Sequence, residues 1–214
     1  DIHLRAAAGE ITALLRGARA AAITERIPVQ CVVNTRERTL RLLAHRQVAM
    51  WHFEDLQNGE TGGGYGRKGM VIRAVRTEGK FGMGLRFSST GTLNGGDIPL
   101  FDETQGIAFS CWIFLEADGT DQILCSYGKG FAVGIRRDGS PIARVGGLEL
   151  SDRGVTIPLR QWVQVACIFD GSEAQLTVNK LTVARRRSAG RESWYQREAL
   201  FTLGAASHGF VGIM

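Results

Sequence analysis

The fold class this sequence predicts is mainly β, a sandwich or barrel preceded by one α-helix and a β-hairpin. Three observations predict it. The opening residues carry apolar side chains at three-and-four spacing, and from Pro28 the period becomes strand-like. Beyond residue 47, short β-rich runs recur roughly every eight to twelve residues, separated by turn residues and without a second helical pattern. The 214 residues suffice for one large domain or two small ones, and 44% apolar against 22% charged residues is the balance of a folded chain.

Leu4, Ala8, Ile11, Leu14, Leu15, Ala18 and Ala22 share one helical face, while Arg5, Glu10, Thr12, Arg16 and Arg19 fall mostly elsewhere. Alanine and leucine are strong helix formers and no proline intervenes before Pro28, so about twenty residues can hold a helix on the order of 30 Å long. Pro28–Val33 and Thr39–Ala44 then read as the strands of a hairpin around Asn34–Arg38. Two strands alone are marginal, so the helix and hairpin need a further partner surface. The sequence opens at Asp1 with the helix already under way, which implies a segment missing upstream.

Further strands are expected at Val48–Phe53, Met70–Val75, Gly84–Ser88, Ile107–Leu115, Gln122–Tyr127, Phe131–Arg136, Ile142–Val145, Trp162–Phe169, Gln175–Val178, Leu181–Ala184 and Ala199–Gly204. Asp118-Gly119, Asp138-Gly139 and Asp170-Gly171 supply turn chemistry. Ile107–Leu115 is apolar on both faces, the pattern of a strand covered on each side. Glu54–Gly69 contains Gly62-Gly63-Gly64 and Gly66 but no GKS or GKT ending, so it reads as a surface loop and not a phosphate cradle.

Two stretches resemble known families. LLRGARAAAITERIPVQCVVNTRERTLRL is similar to the helix-to-first-hairpin segment of type IV pilin-like proteins, above all the minor pseudopilins of type II secretion. The resemblance implies an apolar membrane segment upstream of Asp1 as the chain's one route to a membrane, and other pilin-like subunits as partners of Leu4, Ala8, Ile11, Leu15 and Ala18. From MWHFED through EGKFGMGLRF, GIAFSCWIFL and LRQWVQVACIFDGSEAQLTVN to FTLGAASHGFVGIM, the chain resembles the concanavalin A-like, laminin-G-like jelly-roll domains. The chain thus divides into a pilin-like helix and hairpin, residues 1–47, and a jelly roll, residues 48–214. Lys180 departs from the family's usual glycine after Asn179, so that turn must accept a lysine where positive φ is often wanted. The resemblance also implies a further strand after Met214.

The net charge of +5 comes from scattered arginines, with one cluster at Arg185, Arg186 and Arg187 that reads as a solvated strand edge. No docking helix or aromatic platform of a nucleic-acid module accompanies it, so no nucleic-acid partner is expected. Cys31, Cys111, Cys125 and Cys167 lie in apolar runs without metal-ligand spacing and read as structural thiols, with a Cys111–Cys167 bridge as the alternative. His3, His45, His52 and His208 are scattered and accompany no nucleophile motif.

Concanavalin A-like jelly rolls include glycosidases, which need two acids flanking a scissile bond. Here Glu116-Ala117-Asp118-Gly119-Thr120-Asp121 loosely imitates such a strand, but Asp118-Gly119 marks a turn, so no catalytic residue is assigned and no enzyme is expected. No cofactor is assigned either. Calcium would need converging oxygen ligands, for which Asn94 with Asp97 and Asp118 with Asp121 are the local candidates, each reading better as a turn. Trp51, Trp112 and Trp162 are assigned to the core. Trp194, Tyr195 and Tyr65 lie in polar or glycine-rich loops and are the candidate ligand contacts.

The expectation is a non-enzymatic pilin- or pseudopilin-like subunit, anchored in a bacterial inner membrane, with a periplasmic or extracellular lectin-like head that binds a glycan or protein partner through its loops. The alternative is a secreted or surface carbohydrate-binding module, and a glycoside hydrolase is the remote third.

Overall fold

The computed structural model describes residues 2–25, 29–34, 39–44, 49–62, 68–97, 106–189, 199–204 and 210–214. Its contacts divide the chain into two units, residues 1–48 and 49–214. In the first, helix α1 (Ile2–Glu25) precedes β1 (Val29–Asn34) and β2 (Thr39–Ala44), which pair antiparallel from Val29 opposite Ala44 to Asn34 opposite Thr39. The helix lies beside both strands. Ile11, Leu14 and Leu15 are each 45% exposed, so the apolar stripe is open along the middle of the helix. Among the described residues no helix is long and apolar enough to cross a membrane.

The second unit is all β. Its strands are β3 (Glu60–Gly62), β4 (Lys68–Glu78), β5 (Met83–Asp97), β6 (Ile107–Leu115), β7 (Gln122–Tyr127), β8 (Phe131–Ile135), β9 (Pro141–Val145), β10 (Leu148–Ser151), β11 (Trp162–Phe169), β12 (Glu173–Val178), β13 (Leu181–Arg187), β14 (Leu200–Gly204) and β15 (Gly212–Ile213). Hydrogen bonds link them in the order β10-β9-β8-β7-β14-β5-β15-β6-β11-β12-β13, with β4 on β5 and β3 on β4.

β5 turns this ribbon into a sandwich. Its C-terminal part pairs with β14, Thr92 opposite Gly204, and its N-terminal part pairs with β15, Phe87 opposite Gly212. The bend falls at Ser88–Gly91, where four residues of β5 face the single Arg73 of β4. Arg73 adopts φ 53°, and a Cβ on Gly91 would come within 2.8 Å of the Arg73 carbonyl oxygen, so the bend requires glycine there. The two layers therefore share β4 and β5, and at the opposite edge β10 comes back beside β12 and β13.

The core alternates as a half-covered sheet demands. Val163, Val165, Cys167 and Phe169 of β11 point inward, as do Ile113 and Leu115 of β6 and Ala174 and Leu176 of β12, all buried. Each large side chain so placed contributes roughly 1.5–3 kcal/mol of burial. Gln122, 2% exposed, donates through Nε2 to the Ala117 carbonyl at 2.7 Å and accepts the Val211 N–H at 2.9 Å, so its burial carries no unmet amide.

Several sequence expectations need correction. Ala49–Phe53 is no strand beyond an isolated bridge at Trp51, while β3 and the start of β4 fall inside the stretch read as a loop. The strand expected at Gly84–Ser88 runs on to Asp97, and β10 was unforeseen. β6 is buried on one face only: Ala108 and Ser110 are exposed and Trp112 and Phe114 half-buried. Trp51 and Trp162 are likewise half-buried, so none of the three tryptophans assigned to the core is fully enclosed. The four cysteines are free thiols, in keeping with the main reading of the sequence, and it is the alternative bridge that the structure lacks. Cys111 pairs with Val165 and Cys167 with Phe109, a diagonal two residues out of register, which separates their Cα atoms by about 7–8 Å, more than a disulfide spans.

Candidate functional site

Asn58-Gly59 is the local origin of a recess beside β3. Both residues take positive φ, 51° and 82°, which is what a tight two-residue turn between antiparallel strands demands. Gln57 and Glu60 close it, the Gln57 N–H reaching the Glu60 carbonyl at 2.9 Å and the Glu60 N–H the Gln57 carbonyl at 2.8 Å. The turn is tied to the sheet through the Val71 N–H, which donates to the Gly59 carbonyl at 2.7 Å.

Asp55 then fixes β3 from the other side. Its Oδ1 accepts the Thr61 hydroxyl at 3.0 Å and its Oδ2 the Gly62 N–H at 2.9 Å. A Cβ on Gly62 would sit 2.3 Å from Oδ2, so the carboxylate can approach only because residue 62 is glycine. Trp51 packs over the neighbouring backbone, leaving 3.0 Å from its Nε1 to where a Gly69 Cβ would lie and 2.9 Å from its Cη2 to that of Gly95, and it stacks on Phe201 with ring centroids 5.7 Å apart.

The turn and β3 border an open cleft of about 470 Å³, walled by Asp55, Thr61 and Gly62 together with Gln57, Asn58, Glu60 and Lys68. Lys68 Nζ lies 3.6 Å from Glu60 Oε2, an exposed pair of little consequence for stability. Both oxygens of Asp55 are engaged in holding the loop. The cleft thus presents amide donors and acceptors, one carboxylate and one ammonium to whatever enters it, an inventory suited to a ligand whose groups both donate and accept, as hydroxyls do.

Tyr65, Trp194 and Tyr195 lie outside the described residues. The segment that carries Tyr65 is flanked by Gly62 and Lys68, both of which line the cleft. On α1, Ala8, Ile11 and Leu15 are exposed and Ala18 is half-buried, with Leu4 one turn before Ala8. Two acids of Glu116–Asp121 do structural work: Glu116 pairs with Arg86 at 3.2 Å and Asp121 Oδ1 accepts the Arg137 N–H at 2.8 Å, while Asp118 precedes Gly119, which makes its turn at φ 85°. Asn94 Oδ1 accepts the Gly96 N–H at 2.9 Å, again a turn contact. Among the described residues no group of three or more His, Cys, Asp or Glu side chains is placed to hold a metal ion. Sequence reasoning passed over Gln57, Asn58 and Glu60, although Asn58-Gly59 is the strongest short hairpin signal a sequence can carry.

Comparison with known proteins bears on the second unit. The laminin G 3 model of the concanavalin A-like lectin/glucanases superfamily matches residues 87–214, more than half of the chain. No curated protein matches. Among solved structures, domain 4 of AbnA, a GH43 extracellular arabinanase from Geobacillus stearothermophilus solved with arabinotriose, is similar at TM-score 0.59 and 15% identity, over 78% of this chain and 90% of that one. The binding domain of botulinum neurotoxin DC in complex with SialylT is similar at TM-score 0.54 and 10% identity, over 73% of this chain and 42% of that one. Trypanosoma rangeli sialidase in complex with sialic acid follows at TM-score 0.56 and 10% identity, over 77% of this chain and only 28% of the sialidase. Identities this low establish a common fold, and the chain spans less than half of the toxin and sialidase chains.

Proposed function

This chain belongs to the concanavalin A-like lectin/glucanases superfamily, and from that premise we propose that it is a non-catalytic carbohydrate-binding protein, secreted or displayed at a cell surface. The glycan enters the cleft beside β3. The observation that carries the proposal is the lining itself: Gln57, Asn58, Glu60 and Lys68 offer mixed donors and acceptors on a rigid turn, the arrangement that hydroxyl-rich ligands require. Tyr65, Trp194 and Tyr195 are the proposed aromatic ligand contacts. A binding role is favoured over hydrolysis because Asp55 has both oxygens committed to Thr61 and Gly62 and Glu60 faces Lys68, which leaves no free acid and base pair in the cleft. The superfamily fold itself does not choose between the two.

A glycan array probed with and without calcium tests the proposal. Binding by the wild type that is lost in the double variant Gln57→Ala, Glu60→Ala supports it. Retention of all glycan signals in that variant, or hydrolysis of a bound glycan, removes it. Unchanged signals for Trp194→Ala and Tyr195→Ala would remove that loop pair alone.

A second reading is favoured by one specific observation, the open apolar stripe of α1, with Ile11, Leu14 and Leu15 each 45% exposed and Ile23 67%. In it the protein is a subunit of a pilin-like assembly, membrane-anchored through a segment upstream of Asp1, with the β unit as its head. Gene sequence upstream of Asp1 decides this: a prepilin-type processing site followed by a long apolar run supports it, and an ordinary cleavable signal refutes it.

A further inference from the structure

We infer that the protein carries a second ligand site, distinct from the cleft, on the outer face of the layer that contains β6, and that it takes an acidic sugar, a pyranose bearing a carboxylate. The inference rests on the proposal that the protein binds glycans, but it involves different residues and its test can fail separately.

The site is built on the turn between β4 and β5. Gly79 N–H donates to the Gly82 carbonyl at 2.8 Å, and Glu54 Oε1 accepts the Met83 N–H at 3.1 Å. Gly82 holds φ 70°, and a Cβ there would crowd Glu54 Oε1, so the turn as Glu54 ties it favours glycine at this position. That shape projects Lys80 and Phe81 over the sheet. Phe81 is 73% exposed and is the only aromatic among the exposed large apolar side chains of the described residues. Its ring stands edge-on to Trp112, centroids 5.8 Å apart at 80°. Lys80 Nζ hangs 5.9 Å from the Phe81 centroid and 5.5 Å from that of Trp112, and among the described residues it makes no ion pair.

The exposed Phe81 ring thus serves as a floor and Trp112, at 80° to it, as a wall, with the Lys80 ammonium against both and, among the described residues, in no ion pair. Gln164 is paired in register with Trp112 and its Nε2 donates to the Ser110 hydroxyl at 3.2 Å, so its amide oxygen is the group it can offer a ligand. The chemistry narrows the occupant. The flat C–H face of a pyranose fits an aromatic floor, and a carboxylate on its rim meets the ammonium in a charge-assisted hydrogen bond. A wholly apolar occupant would bury that ammonium without a counter-charge, which is unfavourable. A neutral sugar would use the rings and leave the cation idle. The tethered turn means that little ordering is needed on binding.

The test is isothermal titration of the full chain with trigalacturonic acid and with neutral galactotriose at low salt, for the wild type, Phe81→Ala, Lys80→Gln and the cleft double variant Gln57→Ala, Glu60→Ala, each checked for an unchanged melting temperature. The wild type should prefer the acidic trisaccharide by about tenfold, the scale of one charge-assisted contact. Lys80→Gln should abolish the preference and leave neutral binding intact. Phe81→Ala should weaken both ligands, and the cleft variant should leave the preference unchanged. Absence of acidic preference in the wild type, or its survival in Lys80→Gln, overturns the inference. So does loss of all binding in the cleft variant alone, which would leave the cleft as the only site. A preference carried by Lys80 and Phe81 together with an unresponsive cleft variant would sustain this site and refute the cleft.

Discussion

Asn179 and Lys180 are the central residues of the β12–β13 turn and both take positive φ, 49° and 69°. Replacing each by glycine should have opposite effects, although the substitution is nominally the same. At Lys180 the side chain is exposed, so its removal costs no packing. A left-handed conformation costs an ordinary L-residue about 1–2 kcal/mol, while glycine's extra freedom in the unfolded chain returns about 0.4–1 kcal/mol of that. The net gain for Lys180→Gly is about 0.5–1 kcal/mol, or about 1–4 °C in melting temperature for a chain of this size. At Asn179 the backbone gain is smaller, because asparagine tolerates this region. Against it stands the loss of Asn179 Oδ1, which accepts the Gln164 N–H at 2.9 Å and ties the hairpin to β11. That hydrogen bond contributes about 0.5–1.5 kcal/mol, so Asn179→Gly should lower the melting temperature by a similar few degrees. Differential scanning calorimetry of the two variants beside the wild type measures both. Shifts of the same sign would refute the account, since it would mean that the turn's backbone does not set the balance.

Native-state alkylation should modify Cys31, which is exposed, and spare buried Cys125 and Cys167, with all four cysteines reacting only after denaturation; intact-mass spectrometry counts the adducts. Burial pushes the Cys167 thiol up to about 12 from 9.0, and Cys125 is raised by burial and by its thiol neighbours. The folded state therefore holds these protons more tightly. For Cys167 the associated stability is intact below pH 9 and lost between 9 and about 12, at up to about 1.4 kcal/mol per pH unit, and Cys125 adds a loss of the same sign; urea melts at pH 8, 9 and 10 should show the decline. Gly62→Ala should displace Asp55 from β3 and cost about 1–3 kcal/mol, read from chemical denaturation, with Gly96→Ala, where a Cβ meets nothing within 4 Å but φ is 75°, costing only its backbone strain. Gln122→Leu should leave the Ala117 carbonyl and Val211 N–H unpartnered and cost about 1–3 kcal/mol by the same assay.

The strands from Trp162 to Val178 were legible because their period-two pattern is bounded by Asp170-Gly171 and Asn179, each of which the structure uses: Asp170 Oδ1 accepts the Ser172 and Glu173 N–H groups. β5 was only half legible. Its Gly91, Gly95 and Gly96 look like turn signals, yet Gly91 is there for the Arg73 carbonyl and Gly95 for the rings of Trp51 and Phe201, contacts between residues far apart in sequence. The inward face of β6 followed from alternation, but whether anything covers Trp112 and Phe114 depends on tertiary structure that a period cannot encode. The cleft was hidden by its own glycines, because the run after Gly62 drew the whole stretch into a loop and masked the Asn58-Gly59 hairpin before it. The lysine at 180 was the departure best judged from sequence, since the demand for positive φ there is met by Lys180 itself.

β15 is the shortest strand of the sheet and fills a slot between two of its longest neighbours. Ile213 pairs with Arg86 on one side and Phe114 on the other, and Met214 exchanges hydrogen bonds with Leu85 at 3.0 and 2.9 Å. On the ribosome, β5 and β6 are made long before the residues that join them. Until residues 212–214 emerge, both flanks of that slot carry unpaired backbone, so the nascent unit must hold open a sticky seam until β15 is made. Synthesis order therefore makes a very small element a late zipper of the sheet, and a chaperone that shields nascent edges would find its natural target at Leu85–Phe87.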